Sequence, residues 1–226
     1  MLGERYAFDV AGIYNGVFAM KDRTTGSVWT HFDGTVIQGP LAGTGIKLDV
    51  VPTVHLRWSD WLAEYPESTV LDWYPEFVGR YGRTVEPGGG ALRGQFANSL
   101  LNTDDRLDQN QLVVGAATDS GSSAYVLDDF NGLTVLNDSV GDEPVVVILD
   151  PSELFGLAYS ATVDGQTIEF SVVGDEVVDP SGSVWDRTGQ AISGPFASTQ
   201  LDYVTSFVTE WYGWAAYNPE TAIYGR

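Results

Sequence analysis

Acid–base or metal chemistry in this chain would fall first on His31 and His55, its only histidines, because imidazole titrates near neutrality and ligates metals readily. Neither has a second ligand at motif spacing, so both read as incidental strand or loop positions. With no cysteine in the chain, thiolate zinc, iron–sulfur, disulfide and cysteine-nucleophile chemistry are excluded. Asp104, Asp105 and Asp108 lack the glycine and closing glutamate of an EF-hand loop and read as a solvated acidic loop. Gly88-Gly89-Gly90 has no lysine, serine or threonine at the spacing a phosphate loop needs, and reads as a flexible turn. No nucleophile elbow, His-Glu-x-x-His helix or dinucleotide fingerprint occurs, and neither a metal site nor a cofactor is expected. Four residues remain. Tyr14, Asn15, Asp22 and Arg23 combine a phenol, an amide, a carboxylate and a guanidinium, a set that suits a small polar or anionic ligand. Asp22-Arg23-Thr24-Thr25-Gly26 equally suits a turn in which the aspartate accepts backbone N–H groups.

The elements that would position these residues are written twice. Gly26-Ser27-Val28-Trp29 returns as Gly182-Ser183-Val184-Trp185, Gly39-Pro40-Leu41-Ala42 as Gly194-Pro195-Phe196-Ala197, and Trp58-x-x-Trp61 as Trp211-x-x-Trp214. Six of seven tryptophans pair off, with length changes only between anchors, as expected of duplicated structure with variable loops. Trp29, Pro40, Trp58, Trp61, Trp185, Pro195, Trp211 and Trp214 are therefore the structural anchors. Around Trp29 the β-branched runs bounded by Asp33-Gly34 and Gly39-Pro40 read as a hairpin. "RWSDWLAEYP" and "FVTEWYGWAAYNP" read as short helices stopped by proline, each followed by a brief apolar run, "TVLDWY" or "AIYG", that suits a closing strand. Ahead of Trp185 lie three more extended stretches, with turns expected at Asp119–Ser122, Asn137–Glu143 and Asp164-Gly165.

The expected fold is mainly β, α+β in class: internally duplicated antiparallel sheets, each with one short Trp-x-x-Trp helix. Residues 1–75 form repeat A, 76–110 a linker or long connection rich in glycine and arginine, and 111–226 the more complete repeat B. Leu2-Gly3 to Phe8 corresponds to Asp164-Gly165 to Phe170, so repeat A lacks its first half, and an unpaired sheet edge would result. Either the first copy has been shortened or the chain is the carboxy-terminal part of a longer protein, and on the second reading the missing upstream portion of the same protein is an expected partner. The paired tryptophans read as core, the alternative being a sugar-stacking platform.

Aspartate and glutamate number 31 against 11 lysines and arginines, a formal net charge of −20. Self-repulsion of that size destabilises a fold in dilute buffer but is screened at molar salt, where the Debye length is about 3 Å. The chain is therefore expected to come from a high-salt environment. No basic stripe exists to meet phosphates, which argues against nucleic acid. No apolar run reaches the roughly 18 residues of a membrane span, and no signal peptide is written in the chain.

"YNGVFAMKDRTTGSVW", "GPLAG", the Trp-x-x-Trp helix running into proline, "DDRLDQNQLVVGA", "VLNDSVGDEPVVVILDP", "VDGQTIEF" and "WYGWAAYNPET" together resemble the bacterial and archaeal domain-of-unknown-function family 3179, in its C-terminal portion and in a haloarchaeal-like form. The resemblance covers nearly the whole chain and implies an extracytoplasmic location but no reaction. It marks the "YN" of Tyr14-Asn15 and the "DR" of Asp22-Arg23 as family positions, the first pair replaced by Asp175-Glu176 in repeat B. The family's upstream His-Glu pair and Tyr-Cys-Pro-x-x-Cys stretch are replaced here by Leu133-Thr134 and Leu149-Asp150-Pro151. The resemblance thus implies a non-catalytic binding or structural portion. The alternatives are an enzyme with a polar site around Tyr14, Asn15, Asp22 and Arg23, and a carbohydrate-binding module using surface tryptophans.

Overall fold

The computed structural model describes residues 5–70, 76 and 94–226. Four strands, β1 (Phe8–Tyr14), β2 (Val17–Asp22), β3 (Val28–Thr30) and β4 (Val36–Gln38), form an antiparallel meander. The short helices α1 (Trp58–Glu64) and α2 (Gly94–Asn98) follow. The rest of the chain builds a seven-stranded sheet around a second meander. Its strands are β5 (Leu112–Ala117), β6 (Ser122–Val126), β7 (Thr134–Val140), β8 (Glu143–Asp150), β9 (Phe155–Ser160), β16 (Tyr203–Glu210) and β17 (Ala222–Ile223), in spatial order β17-β6-β5-β16-β9-β8-β7. Between β9 and β16 come the ribbon β10 (Thr162–Val163) and β11 (Gln166–Thr167), then the second meander: β12 (Ser171–Val173), β13 (Glu176–Val178), β14 (Val184–Trp185) and β15 (Ala191–Ser193). Helix α3 (Trp211–Tyr217) leaves directly from β16. The protein is thus mainly β, with short helices, as the strand-rich patterning implies.

The large sheet curls on itself. Four strands separate β6 from β7, yet the Tyr125 hydroxyl on β6 donates to Asp138 on β7 at 2.9 Å. Its inside is filled by a fully buried cluster that includes Val114, Tyr125, Leu127, Val145, Val147 and Leu149. Side chains alternate across a strand, so Val146 and Ile148 of β8 face the other way and pack with Phe170, Val177 and Trp185 of the second meander. On β5, Val113 likewise turns outward to Trp211 and Trp214 of α3. Gly115 is obligatory beneath that helix: a Cβ there would lie 2.2 Å from the Trp214 ring.

Two sequence expectations shift. The turn expected over Asn137–Glu143 is confined to Gly141-Asp142, because β7 runs on through Val140. Asn137 and Asp138 spend their turn-forming groups on long-range bonds: the Asn137 amide holds both N–H and C=O of Phe170 at 2.8 Å, and Asp138 takes the Tyr125 hydroxyl. Phe207–Glu210, expected as helix, is strand. It pairs residue for residue with β5 from Gly115 to Leu112, a ladder of β-branched and aromatic positions. Of the closing strands, Ala222–Ile223 forms β17, parallel to β6. Thr69 and Val70 carry no strand, and the remainder of that stretch lies outside the described residues, as do Gly88-Gly89-Gly90.

Candidate functional site

Asn15 and Asp22 sit at opposite ends of the β1–β2 hairpin. Asn15 occupies its turn with φ +48° and is buried, a conformation asparagine tolerates better than most residues. Its amide donates to the Ala216 carbonyl at the end of α3 (2.9 Å) and its Oδ1 accepts from Leu101 N–H (2.9 Å). The neighbouring Tyr14 carbonyl accepts from the Tyr217 hydroxyl (3.2 Å). The Tyr14-Asn15 turn therefore fastens the first meander to α3.

Asp22 is a turn anchor. It accepts Thr25 N–H (2.5 Å), Thr25 Oγ1 (2.7 Å), Gly26 N–H (3.3 Å), Ser27 N–H (3.1 Å) and the Trp29 indole N–H (2.8 Å). Burial alone would raise its pKa, but these donors hold it down to about 2. Arg23 points outward and pairs with Asp9 through Nε at 2.9 Å. Tyr14 and Asn15 are thus separated from Asp22 and Arg23 by the whole of β2, roughly 16 Å of extended chain. They form two places rather than one constellation.

Several of the other candidates also find structural partners. Asp104 is bound by Arg106 (2.7 Å), whose guanidinium stacks over Trp211 at 5.3 Å. His31 bonds through Nδ1 to the Phe18 carbonyl (2.8 Å) at the surface, and His55 is exposed. Trp29, Trp185, Trp211 and Trp214 are core, whereas Trp58 and Trp61 are exposed. Pro40 and Pro195 each follow a positive-φ glycine at the surface. No cluster of three or more potential metal ligands occurs among the described residues.

A concave site lies elsewhere, between the first meander and the seven-stranded sheet: a groove of about 600 Å³. Phe32, from the loop between β3 and β4, stacks on Tyr217 (4.7 Å between centroids) and meets Phe207 edge-on (5.0 Å). With Trp214 and Tyr203 these rings make its apolar lining. Lys47, Asp49, Asp119 and Glu143 also line it, and none of the four makes a side-chain hydrogen bond or ion pair among the described residues. Asp33, also in the wall, is committed to Thr30 and Thr35. The groove draws on the β3–β4 loop, the segment after β4, the end of β5, the start of β8, β16 and α3. No motif spacing could have announced it, and the only sequence signal is the aromatic content of "THFDG" and "WYGWAAY".

The family described as "protein of unknown function (DUF3179)" matches residues 2–221 of the 226. The chain belongs to this family. No curated protein and no solved structure matches it. Family 3179 membership supplies no reaction, so function has to be argued from the groove. No helix among the described residues is long and apolar enough to cross a membrane.

Proposed function

We propose that this family-3179 chain is a non-catalytic binding portion of an extracytoplasmic protein from a salt-rich habitat, and that its ligand enters the groove between the first meander and the curled sheet. The observation that carries this reading is the set of three carboxylates and one ammonium that have no side-chain partner among the described residues, above an aromatic lining. Aromatic faces take the apolar face of a ring or chain, while carboxylates accept hydroxyl or amino donors. With three acids against one lysine, the favoured ligand is neutral or cationic and rich in O–H or N–H groups. The internal repeat belongs to the same proposal, supported by the matched turns compared in the Discussion. Location rests on the family resemblance, and the salt-rich habitat on the net charge of −20.

Thermal unfolding of the whole chain with glucose, trehalose and putrescine, with citrate as an anionic control, tests the groove. Ligand at 100 times its Kd adds about 2.7 kcal/mol of stability. A rise in Tm with a polyol or the diamine, lost in Phe32→Ala and in Asp49→Asn/Asp119→Asn, is the expected result. Equal silence from all four compounds, or a response to citrate alone, would refute it. Tm should also climb from dilute buffer to molar potassium chloride; a flat or falling curve removes the salt-adapted part of the reading.

A further inference from the structure

Residues 48–57, LDVVPTVHLR, and residues 201–210, LDYVTSFVTE, have the same length and the same attachments at both ends. Each opens at a leucine whose N–H bonds a glycine carbonyl at 2.9 Å, Leu48 to Gly34 and Leu201 to Gly189. Each is preceded by a single β-bridge, Thr35 with Lys47 and Gln190 with Gln200. Each leads into a seven-residue helix through an extended N-cap residue, Arg57 (φ −66°, ψ 147°) or Glu210 (φ −77°, ψ 144°). In each helix the second tryptophan donates its indole N–H to a hydroxyl seven residues on, Trp61 to Ser68 (2.7 Å) and Trp214 to Thr221 (2.9 Å).

Their surroundings differ. Tyr203–Glu210 is the strand β16, hydrogen-bonded to β5 and β9 on its two sides, whereas residues 48–57 contain no strand. Trp211 and Trp214 are 0% and 1% exposed; Trp58 and Trp61 are 47% and 39% exposed. A segment with these attachments, resting on the second meander through Val54 and followed by a helix whose two indoles stay part-exposed, is suited to receive a sheet.

We infer that residues 50–57 and α1 form a docking surface for an antiparallel sheet of the β5–β9 kind, which takes the segment as a middle strand between two of its own and covers Trp58 and Trp61. β-Strand addition of this sort draws affinity from main-chain bonds and specificity from side-chain pockets. Charge supports the same occupant only along the strand part: residues 50–57 hold His55 and Arg57 and no acid, while residues 111–163, which supply β5 to β9, carry eight acids and no lysine or arginine; α1 itself adds Asp60 and Glu64. Pro52 removes one N–H donor from the segment. It stands level with Thr205, the first residue of β16 to pair with β5 and just past those paired with β9, so the lost donor falls at the end of a ladder, where proline is tolerated. A second copy of the chain is disfavoured as occupant, because its own sheet already holds β16 in that position.

The test is a lengthened chain in which residues 111–169 are repeated ahead of Phe8, compared with the unaltered chain by hydrogen exchange and tryptophan emission. The expected result is slowing of the amides at 50–57, Pro52 excepted, by about 100-fold or more, with a blue shift of emission. Trp58→Ser/Trp61→Ser in the lengthened chain should abolish the slowing while leaving β5–β9 protected. Unchanged exchange at 50–57 would overturn the inference, whether the added residues are protected or not, since the surface should order them. A concentration-dependent dimer of the unaltered chain that already protects 50–57 would overturn it in favour of a second copy.

Discussion

The two meanders carry the same turn and differ in what surrounds it. At the first, Asp22 gathers Thr25, Ser27 and the Trp29 indole; at the second, Asp179 gathers Ser181 N–H (2.6 Å), Ser183 N–H (3.4 Å) and the Trp185 indole (2.8 Å). The serine hydroxyls repeat as well, Ser27 accepting from Leu41 N–H (3.1 Å) and Ser183 from Phe196 N–H (3.0 Å). Gly39 and Gly194, both at positive φ, stand where a Cβ would lie 2.6 and 2.4 Å from the Cα of those serines. Past this point the two regions differ: the second continues into β16 and a buried α3, the first into a segment without a strand and an exposed α1. Local hydrogen bonding is thus set by a dozen residues, whereas burial of a helix depends on strands far away in sequence.

The largest test of that contrast is Trp214→Ala against Trp61→Ala. Trp214 lies on Gly115 beneath the sheet, and truncation should cost about 3–5 kcal/mol, while Trp61→Ala should stay within about 1 kcal/mol; urea unfolding decides, and equal losses would erase the difference between the helices. Next comes the shared turn. Asp22→Ala and Asp179→Ala should each cost about 2–3 kcal/mol, since each leaves an indole N–H without its acceptor, and a neutral outcome at one alone would make the likeness superficial. Acid titration in molar salt should show a smaller effect. Asp22 and Asp179 both titrate below their ordinary value in the fold, Asp22 at about 2, so their contribution is complete above about pH 4 and is lost as pH falls through the lowered values. Asp22→Asn should flatten part of that loss; an unchanged slope would deny Asp22 this role. Smallest is Arg23→Ala: the ion pair with Asp9 is exposed, and the unfolding midpoint should not move measurably.

Much of this was legible in advance. The hairpin of β3 and β4, the helices at Trp58 and Trp211 and the β17 strand follow from alternation, indole spacing and the glycine-proline stops. The reading of Asp22 as a turn anchor followed from aspartate and glycine four residues apart. Its likeness to Asp179 went unread, although Asp22 and Asp179 stand seven and six residues ahead of matching tryptophans. What misled was Asn137-Asp138, a turn dipeptide by local chemistry that became strand because Phe170 and Tyr125 claimed its side chains. The groove was invisible, because Phe32, Asp49, Asp119, Glu143 and Tyr217 come together only when the first meander docks on α3.

The sequence by itself determined the family, the strand-rich character and both aspartate turns, since each depends on residues within bonding reach of one another along the chain. Tertiary structure alone decided that Tyr14 and Asn15 fasten the first meander to α3, that Lys47, Asp49, Asp119 and Glu143 share a groove, and that α3 is covered and α1 is not. Those outcomes follow from which distant strands lie alongside, and side-chain spacing carries no record of that.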